Sequence, residues 1–117
     1  MIKQDSTGRA TLYFEMVGVV RRIPIETRGV SKRSGREWTR GGLFLEVKEK
    51  DCSASVPLFL TVWGDEMVER VNSIGVGKKV LVGFEIESSD AFDRFSTNIS
   101  LREIRLLTGK EAEEYGF

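Results

Sequence analysis

Two kinds of side chain in this sequence can do chemistry together: flat aromatic rings and guanidinium groups. Trp38, Phe44, Phe59, Trp63 and Phe92 are large rings in stretches that are otherwise largely polar or that alternate apolar with polar. Between positions 21 and 40 stand Arg21, Arg22, Arg28, Lys32, Arg33, Arg36 and Arg40, against only Glu26 and Glu37. A cation neutralises a phosphate, and an exposed ring offers a face on which a base stacks, whatever the base. The pairing therefore suits an unpaired nucleic-acid strand held through its backbone and its bases' faces. The competing account is structural: residues 27–40 form a solvated loop with Trp38 folded back on the domain, and Phe44, Phe59 and Trp63 lie under a loop, a helix or a subunit partner.

Other chemistries find little to work with. The chain has no histidine, which removes the Ser-His-Asp and Cys-His arrangements of nucleophilic catalysis. Its single cysteine, Cys52, lies in a polar loop and reads as an incidental thiol; neither a metal nor a cofactor is expected. Asp65, Glu66 and Glu69 cluster, but at the start of a helix such carboxylates are explained by its positive end. Gly75 to Lys79, GVGKK, lacks the full spacing and the following Ser/Thr of a phosphate-binding loop. Glu46, Glu85 and Glu87 read as solvent-facing. The expectation is a protein that is not an enzyme.

Formal net charge is zero over 117 residues, yet its distribution is uneven. Residues 1–40 hold nine Lys/Arg against four Asp/Glu, hence +5, and residues 41–117 hold nine against fourteen, hence −5. A polyanion responds to the local field, so the split matters more than the total. The first residues lack the apolar run of a signal peptide, and no stretch approaches the length of a membrane span; the expected setting is cytoplasmic, with no membrane partner.

The elements that must position these groups follow from hydrophobic period. Residues 12–23 read as a long first strand with Leu12, Phe14, Met16, Gly18 and Val20 on one parity; Gly18 lets it bend and serve two parts of a closing sheet, and Pro24 ends it. Residues 1–9 read as a loose lead-in and residues 27–40 as a long mobile hairpin loop. The second strand, 41–50, puts Leu43, Leu45 and Val47 on one face and Phe44, Glu46 and Lys48 on the other. The third, 56–63, sets Leu58, Leu60 and Val62 against Phe59, Thr61 and Trp63. After Gly64 the period lengthens: Met67, Val71 and Ile74 fall at i, i+4 and i+7, predicting a short amphipathic helix capped by Asp65 and ended by Gly75 and Gly77. A fourth strand, 78–88, carries Val80, Val82, Phe84 and Ile86 inward, and a polar hairpin loop holds Phe92. In the fifth strand, Phe95, Thr97, Ile99 and Leu101 give way to Ile104 and Leu106 on the opposite parity, which predicts a bulge near Arg102-Glu103.

Three strands, one helix and two strands make an all-β class with the layout of the OB-fold, a five-stranded Greek-key barrel with a short α-helix between strands 3 and 4. Other small barrels lack a helix there. The expected division is a flexible lead over 1–10, the OB-fold domain over 11–107, and an acidic C-terminal tail over 108–117.

At this point the sequence resembles a known family. TVWGDEMVERVNSIGVGKKVLVGFEIES, followed by RFSTNISLREI, is similar to the core of bacterial single-stranded DNA-binding proteins: an aromatic-glycine pair, a short helix, a Lys-Gly-type turn and a glycine-containing acidic strand. SGREWTRGGLFLEV is similar to the second-strand region of short bacterial OB-fold proteins related to that family. The resemblance spans roughly residues 14–107. It implies that Trp63 contacts bases, that Phe92 is a stacking ring in a variable loop, and, more loosely, that Trp38 is another. Pro57 stands where better-known members have tryptophan, so one customary platform is missing. Glu111, Glu113, Glu114 and Phe117 resemble a shortened form of the family's acidic tail, whose terminal phenylalanine docks into partner proteins; the aspartate run is absent. The family also implies a homodimer or homotetramer and a role in DNA replication or repair.

The resulting expectation is low-specificity binding of single-stranded DNA, or RNA, with stacking on Trp38, Phe44, Phe59, Trp63 and Phe92 and phosphate contacts from Arg21, Arg22, Arg28, Lys32, Arg33, Arg36 and Arg40. The alternative is an OB-fold interaction or oligomerisation module that uses the same aromatic face for a subunit.

Overall fold

A computed structural model of the chain describes every residue except Arg9 and residues 91–93. In chain order the elements are β1 (Ile2–Gln4), β2 (Ala10–Arg22), β3 (Thr27–Val30), β4 (Glu37–Lys48), β5 (Ser55–Trp63), α1 (Asp65–Ile74), β6 (Lys79–Ser89), β7 (Ser96–Leu106) and α2 (Gly109–Glu114). Strand β2 closes the structure. It pairs antiparallel with β6 from Leu12 to Val19 and with β4 from Val17 to Arg22, so Val17 to Val19 have a partner on each side. Gly18 sits in that doubly paired stretch, where a Cβ would come 2.6 Å from the backbone oxygen of Glu46. Only hydrogen fits there, which is why the long first strand can coil between two partners.

From β4 the circuit runs to β5, then by a parallel contact at Thr61 and Ser100 to β7, and from β7 to β6 and back to β2. The five strands of this circuit correspond to the five read from the sequence, and the β2–β4 pairing joins its two ends. Its interior is filled by Val20, Leu43, Leu45, Leu60, Val62, Val80, Val82, Leu101 and Ile104, and Leu43 faces Leu60 across the β4–β5 ladder with neither exposed. Helix α1 adds Val68 and Val71 at one end. The missing side chain of Gly41 lets it approach β4: a Cβ there would be 3.2 Å from Val68 Cγ2. Gly75 ends the helix with φ +85°, a conformation glycine tolerates without a Cβ clash. The bulge falls at Arg102, between the pairs Phe84–Leu101 and Gly83–Glu103.

Four expectations need correction. The sheet has seven strands, not five, because two segments read as irregular are paired. The lead-in contains β1, which runs along β2 from Leu12 to Ala10. It helps cover Tyr13, an apolar ring on the outward parity of β2: the Lys3 ammonium lies 4.2 Å from the ring centroid, and the Tyr13 hydroxyl donates to Glu103 at 3.3 Å. Burial, and secondarily Glu103, raise the Tyr13 pKa. The expected 27–40 loop is an ordered hairpin in which β3 pairs with the first four residues of β4. Its turn is closed by the Ser31 amide donating to the Arg36 carbonyl at 2.8 Å, with Gly35 at φ +69°.

The third concerns the acidic tail, which holds a helix that the sequence reading did not include: Thr108 and Glu111 form a reciprocal capping box that starts α2, and Ala112 is buried. Arg105 donates to both carboxylate oxygens of Glu111 at 2.9 and 2.8 Å. That fork, followed by the Thr108 backbone, holds the Glu111 carboxyl down at a pKa of about 2. The fourth concerns Asp65. Gly64 occupies the N-cap position of α1 and no side chain caps the helix; Asp65 is its first residue and is engaged elsewhere. Among the described residues no helix is long and apolar enough to cross a membrane.

Candidate nucleic-acid interface

Alternation along β4 sends Leu43, Leu45 and Val47 into the barrel, so Trp38, Arg40, Gly42, Phe44, Glu46 and Lys48 take the outer face. On β5 the outward set is Phe59, Thr61 and Trp63. Register decides which of them meet. Arg40 lies opposite Trp63, Gly42 opposite Thr61, and Phe44 opposite Phe59; on the other side of β4, Trp38 lies opposite Gly29. Directly paired residues share a face, so Trp38, Trp63, Phe44 and Phe59 form one continuous outer strip. The strip follows β4 for the seven residues from Trp38 to Phe44, a span of about 20 Å at the usual strand rise.

These rings are wet. Trp38 is 40% exposed, Phe59 45% and Trp63 48%, values far from those of core aromatics. Phe44 is half-buried and leans on Phe59 with ring centroids 4.5 Å apart and planes inclined by 40°. The guanidinium of Arg40 sits 5.6 Å from the Trp63 ring centroid, an arrangement that holds the cation at the strip without neutralising it.

The cations divide into three groups. Arg22 pairs with Phe44 across β2–β4 and so flanks the strip at its far end, while Arg21 is the extra residue of the irregularity between Val20 and Arg22. Lys32, Arg33 and Arg36 occupy the exposed turn of the β3–β4 arm. Arg28, by contrast, has the opposite parity from Gly29 and is already partnered, donating to Asp65 at 2.9 Å with Glu26 at 4.0 Å. The Asp65 carboxylate also accepts from the buried Thr39 hydroxyl at 2.5 Å. The Thr39 hydrogen bond, more than the Arg28 charge, lowers the Asp65 pKa. Asp65 thus ties the arm that carries Trp38 and Arg40 to the first turn of α1, a role its sequence position as a helix-start acid concealed.

Of the expected site residues, the structure brings together Trp38, Phe44, Phe59 and Trp63 with Arg22 and Arg40, and sets Lys32, Arg33 and Arg36 on the adjoining arm. Arg28 stands on the arm's other face. Phe92 lies outside the described residues. The Phe117 ring centroid is 5.8 Å from Lys48 Nζ and 5.7 Å from Lys79 Nζ. Nearby, Lys50 lies 5.1 Å from the Tyr115 ring centroid and 3.7 Å from Glu114. Sequence reasoning missed the parts that hold the rings: Gly29, Gly42 and the Thr39–Asp65 contact. Glycine at outward parity beside an aromatic is the one signal that pointed to them, and it has meaning only once the register is known. Among the described residues no group of His, Cys, Asp and Glu is disposed to hold a metal ion.

No family model matches the chain, and no curated protein matches it in sequence. Solved structures do. The mitochondrial single-stranded DNA-binding protein Rim1 of Saccharomyces cerevisiae superposes with a TM-score of 0.57 at 12% identity, over 84% of this chain and 97% of that one. The second single-stranded DNA-binding protein of Mycobacterium smegmatis gives 0.54 at 13%, over 82% and 88%. The N-terminal domain of the PriB protein of Thermoanaerobacter tencongensis, described as dimeric, gives 0.54 at 17%, over 82% and 96%. At these identities the likeness is one of fold, and the fold is the OB-fold of single-stranded DNA-binding proteins.

Proposed function

We propose that this OB-fold domain binds single-stranded nucleic acid, DNA in the first instance, through its β4–β5 outer face and without strong sequence choice. The observation that carries the reading is the strip itself: four rings on one face, three of them about half exposed, with guanidinium groups at one edge and on the adjoining arm. Trp38, Trp63, Phe44 and Phe59 stack bases, and Arg22, Arg40, Lys32, Arg33 and Arg36 neutralise phosphates. Arg21 joins them from the strand end; Arg28 contributes only after leaving Asp65. Phe92, which falls between β6 and β7 in sequence, is a fifth candidate ring. The fold shared with single-stranded DNA-binding proteins supports the same assignment. No step of covalent chemistry is needed, and neither a cofactor nor a metal enters the reading.

The test is a titration of fluorescein-labelled oligothymidine at low salt, with tryptophan fluorescence followed in parallel. Binding with quenching supports stacking on Trp38 and Trp63. Absence of binding even at low salt returns the strip to the competing role, a face buried by a second subunit, and a homodimer or homotetramer by light scattering in which both tryptophans become shielded then identifies that role. Docking of a protein partner through Phe117 requires the tail to leave its present seat beside Lys48 and Lys79.

A further inference from the structure

The strip holds rings over two glycines, and this has a bearing on what can lie upon it. Gly29 faces Trp38, and a Cβ at Gly29 would come 2.6 Å from Trp38 Cε2 and 3.0 Å from its Nε1. Gly42 faces Thr61, but its vacant Cβ position is filled by the neighbouring ring: Phe59 Cε2 and Cζ would lie 2.8 and 2.9 Å away, with Pro24 Cγ at 3.3 Å. Both rings therefore lie across the sheet over a bare backbone instead of standing up from it. Standing rings offer edges; rings lying over glycine offer their π-faces outward, and these two keep 40% and 45% of their surface exposed while doing so. Shielding of glycine by an aromatic is a stabilising device in its own right, but it gives no reason for two such rings to share one face with Trp63 and Arg40.

The lean of Phe59 also completes a series. Along β4 the outward rungs are Trp38, Arg40, Gly42 and Phe44. Trp38 and Phe44 supply rings on their own rungs, Trp63 supplies one opposite Arg40, and Phe59, from the rung of Phe44, lies over Gly42. Resting on the proposed binding function, we infer that Gly29 and Gly42 are positioning residues which lay Trp38 and Phe59 flat, so that each ring presents a face on which one base of the bound strand stacks.

Gly29→Ala and Gly42→Ala test this. Each tips one ring, and oligothymidine binding is expected to weaken about 5- to 150-fold, the loss of one stacked base, while circular dichroism shows the barrel still folded. In a Trp38→Ala background Gly29→Ala has no further effect, and in a Phe59→Ala background neither does Gly42→Ala. A general structural lesion would add in both. Ring posture is read without any ligand: in a Trp63→Phe protein Trp38 is the sole tryptophan, and Gly29→Ala changes its emission maximum and its quenching by acrylamide. Unchanged emission, or glycine variants that bind as the parent does, overturn the inference while leaving the binding function in place. Failure of the unaltered protein to bind at low salt removes the binding function itself.

Discussion

Salt dependence is the most searching test of the strip, because it counts phosphate contacts without mutation. Five cations of the proposed contact set flank the rings or sit on the arm: Arg22, Lys32, Arg33, Arg36 and Arg40. Each neutralised phosphate of a single strand contributes about −0.7 to the slope of log affinity against log salt. Five contacts give a slope of about −3.5, so raising salt from about 50 to about 200 mM weakens binding on the order of 100-fold. Anisotropy of labelled oligothymidine across that range measures it directly. The pairing of Arg28 with Asp65 at 2.9 Å makes the number informative. If Arg28 abandons Asp65 for phosphate and Arg21 joins, the slope steepens to about −4.9. Arg40→Ala is expected to take about 0.7 off the slope, whereas Glu66→Ala, on α1, leaves it close to the parent value. A slope shallower than about −1 would refute the reasoning, since rings alone bind without releasing counterions.

Four further outcomes follow from the same geometry. Trp38→Ala lowers oligothymidine affinity by about 1 to 3 kcal/mol and leaves the denaturant midpoint unchanged; an equal affinity removes that ring from the site. Leu60→Ala, at a position with no exposure between β4 and β7, costs about 2 to 5 kcal/mol in urea unfolding. Asp65→Asn frees Arg28 and loosens the arm, so amide exchange in residues 27–40 accelerates while exchange in the barrel strands does not; an unchanged arm would show that strand pairing alone holds it. The Glu111 pKa is depressed from 4.5 to about 2 by Arg105. Its stabilising effect on α2 is therefore full above its unfolded pKa and is lost as pH falls through about 2, and Glu111→Gln should abolish this acid transition of the tail, followed by NMR of Ala112 and Tyr115.

The barrel was legible because its code is local. A two-residue period in residues 41–47 and 58–62, its lengthening after Gly64, and the parity switch at Arg102 each reflect how a side chain must point to leave water, and this depends on a few neighbours along the chain. The arm and the tail escaped for a different reason. Residues 27–30 bury little, so no apolar alternation announces β3; its pairing rests on backbone hydrogen bonds to β4 and on the Asp65 tether. Helix α2 did carry a signal, Thr108 three residues before Glu111, but only one buried residue, Ala112, reinforced it, and the acid-rich composition dominated the reading.

What the sequence by itself determined is therefore the inventory: which residues are rings, which are cations, and which face of each strand they take. Only the tertiary structure decided which of them meet. Register across β3, β4 and β5 placed Trp38 over Gly29, Phe59 over Gly42 and Arg40 beside Trp63, and diverted Arg28 to Asp65. Parity is a property of one strand, whereas adjacency between strands is fixed by the hydrogen-bond ladder and the closure of the barrel, for which no single segment holds the information.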